Sequence, residues 1–232
     1  MKKPTLFMFV AALLALGYWL YIRLNQPPDP RKKEYRVIII KDNSTSQEMN
    51  CDALPGTVKS ELLEAEYPAK TSTVKLFSLG DAASAYEPVE RWTGNIPRVG
   101  ISNFAIGDFA ADLKNACLQI PSTPTSSIWR AAQVALEDLN AHGCGKPGIV
   151  CKLVLISDLE ETVSRPFLRG GGAPQKLQNQ AVNVVVCGYA STKSAAGPRG
   201  EQVEALMGKW RASFAGPTVV FRPYCDALRA GN

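Results

Sequence analysis

Asp42-Asn43-Ser44-Thr45-Ser46 sets one carboxylate and two hydroxyls on alternate residues, directly after the apolar run Val37-Ile38-Ile39-Ile40. Small, hard oxygen donors at that spacing are what Mg²⁺ or Mn²⁺ takes, so Asp42, Ser44 and Ser46 form a candidate metal loop. A second acid, Asp158, follows Leu153-Val154-Leu155-Ile156-Ser157, and between the two in sequence Thr123-Pro124-Thr125-Ser126-Ser127 supplies a third group of oxygens. The competing reading of each piece is a turn or a helix N-cap, where Asp, Ser and Thr satisfy backbone donors.

For these groups to share one ion, both acids must leave the same edge of a sheet. Tyr35-Arg36-Val37-Ile38-Ile39-Ile40 is β-branched and nearly continuous in its apolar part, as a strand covered on both faces must be. Open parallel sheets bind ligands in the crevice at the carboxyl ends of their strands. Further strands are expected at residues 73–79, 150–157, 181–187 and 218–224, from alternation or β-branched runs. A helical stretch interrupted by Pro55-Gly56 is expected to run on through 57–65, with helices at 108–117, 126–141 and about 200–214. The 126–141 helix lines up Ile128, Ala131, Ala132, Ala135, Leu136 and Leu139 on one face, with Ser126 or Thr125 as its N-cap. Residues 80–103 show no clear period. Strands alternating with helices predict an α/β fold, doubly wound, with a mainly parallel central sheet and helices on both faces.

Residues 6–22, LFMFVAALLALGYWLYI, carry no charge and are about long enough to cross a membrane as a helix. A cleaved signal peptide, with Lys2-Lys3 as its basic start and Ala15-Leu16-Gly17 as its cleavage site, is the rival reading. Tyr18-Trp19-Leu20-Tyr21-Ile22 continues the apolar run with interface-seeking aromatics, which favours a retained anchor. The expected organisation is a membrane anchor at 1–24, a proline-rich linker at 25–34 and one folded domain at 35–232. Lys2 and Lys3 on one flank oppose Arg23, Arg31, Lys32 and Lys33 on the other, so charge does not set the orientation.

Hydrophobic residues make up 46% and charged residues 20% of the 232-residue chain, a globular composition. The net charge of +5 is modest and partly placed in Arg31-Lys32-Lys33 beside the apolar segment, where lipid head groups explain it and nucleic acid is not indicated. Six cysteines, an even count, permit disulfides in an oxidising compartment. Cys144 and Cys151 bracket the turn Gly145-Lys146-Pro147-Gly148 and make the expected local bridge, whereas Cys187, within VNVVVCGY, also reads as a small buried hydrophobe. An exported domain is predicted.

Asp-x-Ser-x-Ser after a first strand, a Thr or Ser opening a later helix and an Asp after the next central strand occur here in that order. The stretch 35–224 thereby resembles the von Willebrand factor type A domains with their metal-ion-dependent adhesion site, in a membrane-anchored, bacterial-type setting. The resemblance implies that Ser44 and Ser46 bind Mg²⁺ or Mn²⁺ through their hydroxyls. Asp42 and Asp158 would act through bound water or by orienting the ligands, and Thr125 or Ser126 would complete the protein's share. It further implies a non-catalytic protein-binding module in which an acidic side chain of a protein partner completes the ion's coordination. Asp158 departs from the family in being followed by Leu159-Glu160-Glu161 where many members have Gly.

Other readings stay beside this one. The same fold without metal would serve as a scaffold or assembly subunit of a membrane complex. A Mg²⁺-dependent phosphatase-like hydrolase would use Asp42 as nucleophile and Asp158 as metal ligand, but enzymes resembling the haloacid dehalogenases place a second Asp where this chain has Ser44. The single histidine, His142, precedes Gly143 at an expected helix end and reads as a helix-terminal group. Gly143-Cys144-Gly145-Lys146 lacks the spacing of a phosphate-binding loop, and Gly170-Gly171-Gly172 has no helix directly after it. Trp129 and Trp210 fall on expected helices as packing residues.

Overall fold

The computed structural model describes residues 16–19, 34–43, 51–52, 54–56, 58, 72–80, 87–96, 103–123, 127–159, 177–178, 181–188, 199–215, 219–222 and 225. The chain divides into two compact units, Met1–Lys32 and Lys33–Asn232. In the first, residues 16–19 are helical, with Leu16, Tyr18 and Trp19 exposed. The rest of the expected anchor lies outside the described residues. Among the described residues no helix is long and apolar enough to cross a membrane.

In the second unit the strands are β1 (Glu34–Lys41), β2 (Ser72–Ser78), β3 (Val89–Ile96), β4 (Ile149–Ile156), β5 (Leu177–Gln178), β6 (Val182–Cys187), β7 (Phe214–Ala215) and β8 (Val219–Arg222). The helices are α1 (Asn103–Leu118), α2 (Ile128–Ala141) and α3 (Arg199–Ser213). Six strands form one sheet in the order β3-β2-β1-β4-β6-β8, while β5 and β7 pair separately. Every pairing in the large sheet is parallel except β2 with β3.

Period-two alternation on continuous apolar strands sends successive side chains to opposite faces, and both faces are covered. Ile38, Ile40, Leu153, Leu155, Val184 and Val186 pack with Ile128, Ala132, Leu136 and Leu139 of α2 and with Met207 and Trp210 of α3. Val37, Ile39, Val74, Leu76, Val154 and Ile156 pack on the other side with Leu113 and Cys117 of α1 and with Leu54 and Val58. A sheet sandwiched in this way is the doubly wound α/β arrangement predicted from the alternation of elements.

The described strands and helices depart from the sequence reading in four places. Residues 80–103, read as aperiodic, contain β3, an edge strand whose Glu90, Arg91, Thr93 and Asn95 are exposed. Polar residues are what an exposed edge requires and what hides it from an apolar-period reading. Helix α1 begins five residues before the expected start at 108, because Gly107, a poor helix former, breaks the pattern there. Helix α2 starts at Ile128 with Ser127, not Ser126 or Thr125, at the N-cap position. The short β5–β7 pair was not anticipated. Of the helical stretch expected at 57–65, only Val58 is described, and it is helical.

All six cysteines are paired: Cys51 with Cys117, Cys144 with Cys151 and Cys187 with Cys225. The first bridge fastens the segment after β1 to α1 across 66 positions, and the second closes the turn between α2 and β4. Gly143 and Gly145 in that turn have φ of 88° and 90°, left-handed values that a β-carbon disfavours.

Candidate functional site

Asp42 and Asp158 leave adjacent strands at the same end of the sheet. β1 and β4 run parallel with Lys41 opposite Ile156, and the ladder continues one step further where Asp42 N donates to Ile156 O at 2.8 Å. Chain connections from β1 and β4 diverge to opposite halves of the sheet, since β2 lies beyond β1 and β6 beyond β4. That divergence makes the β1/β4 boundary the topological switch point, where doubly wound sheets open a crevice at their carboxyl ends.

The Asp42 carboxylate is fully buried, at 0% exposure, and a buried charge has to be compensated. Part of the compensation comes from β4's exit: Ser157 Oγ donates to Asp42 Oδ2 at 2.7 Å. Ser157 Oγ in turn accepts from Leu159 N at 2.9 Å, closing a tight turn around the half-buried Asp158. Leu159 takes φ of 67° in that turn, and its carbonyl accepts from Trp210 Nε1 at 3.3 Å. Burial holds the Lys41 ammonium below the usual lysine range, and the Asp42 carboxylate offsets part of that fall.

Asn43 joins the neighbouring loops. Its Nδ2 donates to Pro121 O at 2.7 Å, its Oδ1 accepts from Leu79 N at 3.1 Å, and its backbone O accepts from Thr123 N at 2.8 Å. Ser127 Oγ reaches Gly80 O at 3.4 Å from the start of α2. The end of β1, the end of β2 and the segment leading to α2 are therefore stitched together beside Asp42, and Cys51–Cys117 holds the chain a few residues beyond it.

Among the proposed metal ligands, the described residues place Asp42 and Asp158 on one rim. Ser44, Ser46, Thr125 and Ser126 lie outside the described residues, although Asn43, Thr123 and Ser127 beside them are described and tied to that rim. Among the described residues no group of three His, Cys, Asp or Glu could hold a metal ion. The two described acids, Asp42 and Asp158, are oxygen donors, the kind a hard dication takes and a soft metal does not. Two residues that matter to this geometry, Asn43 and Ser157, were not singled out from the sequence. Each stands next to an acid that was, and a polar residue ending a buried strand was the available signal.

His142 is the C-cap of α2, with Nδ1 2.6 Å from Asp138 O, as expected of a helix-terminal group. Trp210 is fully buried and Trp129 nearly so, both in the core on the α2 and α3 side.

A doubly wound α/β domain with its main-sheet strands in the sequence order 3-2-1-4-5-6, an antiparallel edge strand and two acids at the switch point is the class defined by these features, and it fits a type A-like fold. No protein-family model matches the chain, and no curated protein does. Among solved structures it is similar to the VWA domain of SpRpn10, at 16% identity over 82% of this chain and 88% of that one, with a TM-score of 0.40. An aerotolerance-related membrane protein from Bacteroides fragilis NCTC 9343 is similar at 13% identity, 83% and 94% coverage and a TM-score of 0.40. BatB, a conserved hypothetical protein from Bacteroides thetaiotaomicron, gives 13% identity, 82% and 91% coverage and a TM-score of 0.40. Likenesses at this level decide nothing about the chain's activity, and its fold stands on its own strand pairings.

Proposed function

We propose that the protein is a membrane-anchored, type A-like domain that binds a protein partner through a divalent metal and catalyses nothing. Asp42, Ser44, Ser46, Asp158 and either Thr125 or Ser126 hold Mg²⁺ or Mn²⁺, and residues 6–22 tether the domain with its folded part exported. The observation that carries the reading is the meeting of Asp42 with the Ser157–Leu159 turn at the β1/β4 switch point, beside the segment that Asn43 binds. A hard dication with mostly neutral ligands keeps enough charge to attract an acidic side chain of the partner. Three disulfides support the exported placement.

The test is a pull-down from solubilised membranes with the full chain as bait, run in Mg²⁺ and in chelator and repeated with Asp42→Ala. The reading expects a partner retained in Mg²⁺ and lost both in chelator and with the variant. A metal-free scaffold is the second reading, favoured by the Ser157 hydroxyl, which already compensates part of the buried Asp42 charge. Partner retention unchanged by chelator would support it. Mg²⁺-dependent phosphatase turnover abolished by Asp42→Asn would instead establish the hydrolase.

A further inference from the structure

Thiol–disulfide exchange begins when a thiolate reaches one sulfur of a bridge, so access selects which bridge of a protein reacts. Two bridges here are closed to that approach: Cys51 and Cys117 are 6% and 0% exposed, Cys144 and Cys151 8% and 1%. The third differs at one end. Cys187 is 1% exposed at the end of β6, whereas Cys225 is only partly buried and packs against the core that holds Cys187.

What each bridge fastens differs too. Cys117 lies within α1, which is packed on the sheet. Cys144 and Cys151 flank a turn closed by Lys146 N on Gly143 O and Ile149 N on Lys146 O, each at 3.1 Å. Thiols formed there stay 7 positions apart on a closed turn, and a short tether keeps their local concentration high enough to restore the bridge. Cys225 lies 38 positions from Cys187, just beyond the four-residue edge strand β8 and outside any described helix or strand. Its partner end is at the switch-point rim, where Cys187 O accepts from Ser157 N at 3.0 Å.

We propose that Cys187–Cys225 is a reducible latch, the site at which a dithiol reductant exchanges with this chain. The reductant's thiolate bonds to Cys225 Sγ as the bridge breaks, and the electron pair leaves on Cys187, which takes up a proton. The reductant's second thiolate then attacks its own sulfur in the mixed disulfide and releases Cys225, which is protonated in turn. Two electrons and two protons pass to the protein, and the dithiol ends as a disulfide. Opening removes the covalent tie between the end of β6 and the chain after β8, and leaves the other two bridges in place. The proposal involves no metal and stands apart from the reading above.

The experiment treats the full, detergent-solubilised chain with rising concentrations of dithiothreitol, blocks new thiols with N-ethylmaleimide and assigns them by peptide mass spectrometry. Circular dichroism follows the fold at each step. The expected first product is blocked at Cys187 and Cys225 alone, with the other two bridges intact and the fold unchanged. Blocking first at Cys144 and Cys151 or at Cys51 and Cys117, or at all six together, overturns the proposal, as does no blocking until denaturant is added. The paired Cys187→Ser, Cys225→Ser variant is expected to fold with its remaining cysteines bridged. A variant that fails to fold makes this bridge a structural staple and overturns the latch.

Discussion

Both ends of the Asn43 amide are used inside the protein, Nδ2 on the Pro121 carbonyl and Oδ1 on the Leu79 N–H. Truncation strands the buried Leu79 N–H, which costs about 1–3 kcal/mol, while the carbonyl of the exposed Pro121 can turn to water. Asn43→Ala is therefore expected to lower unfolding stability by about 1–3 kcal/mol, measured as a shift in denaturant midpoint. A midpoint unchanged within error would show that water replaces both contacts. Lys41 makes a different prediction, because its ammonium opposes any cation near Asp42. Lys41→Met is expected to tighten Mn²⁺ binding at low salt, with the gain shrinking as salt is added. Weaker binding in the variant would mean that Lys41 supports the site. At this scale the sequence set both acids just after apolar runs, and both runs are strands of the sheet. It did not disclose Asn43 or Ser157, because a hydrogen bond linking residues 42 and 157 depends on a pairing of strands that no local window contains.

Helix α2 was the most legible element, and its predicted face of Ile128, Ala131, Ala132, Ala135, Leu136 and Leu139 is buried throughout. An amphipathic stripe reports its own burial because one partner, the sheet, covers it along its whole length. Leu136→Ala should cost about 2–5 kcal/mol through lost contact and the cavity left against the sheet, read by thermal or chemical unfolding. A cost below about 1 kcal/mol would place Leu136 outside the core. Strand β3 was illegible for the opposite reason, since half of it faces solvent and its pairing to β2 is irregular between Leu76 and Phe77. The disulfides also act at this scale, each closing a loop of different length. By chain entropy, removing Cys51–Cys117, with 66 positions enclosed, should cost about 4 kcal/mol, against about 2.5 kcal/mol for Cys144–Cys151 with 7. Paired Cys→Ser variants compared by unfolding midpoint test the ordering, and the reverse ordering would show that local strain, not loop length, sets the two contributions.

For the molecule as a whole, composition and alternation of elements were enough to reach a doubly wound α/β domain, because the nearly continuous apolar runs of the central strands require cover on both faces. Cysteine count permitted disulfides without fixing their partners, since Cys51 and Cys117 lie 66 positions apart and share one core with α1 and the sheet. An exported domain predicts no thiol labelling of the natively isolated chain and six labelled cysteines after unfolding and reduction, whereas free thiols throughout would point to a reducing compartment. A divalent cation at the β1/β4 switch point is tested by the Mn²⁺ stoichiometry of the purified full chain, compared with Asp42→Ala and Asp158→Ala. One Mn²⁺ per wild-type chain, displaced by excess Mg²⁺ and lost in both variants, is the expected result. A folded wild-type chain that binds none, or variants that bind as the wild type does, would contradict it.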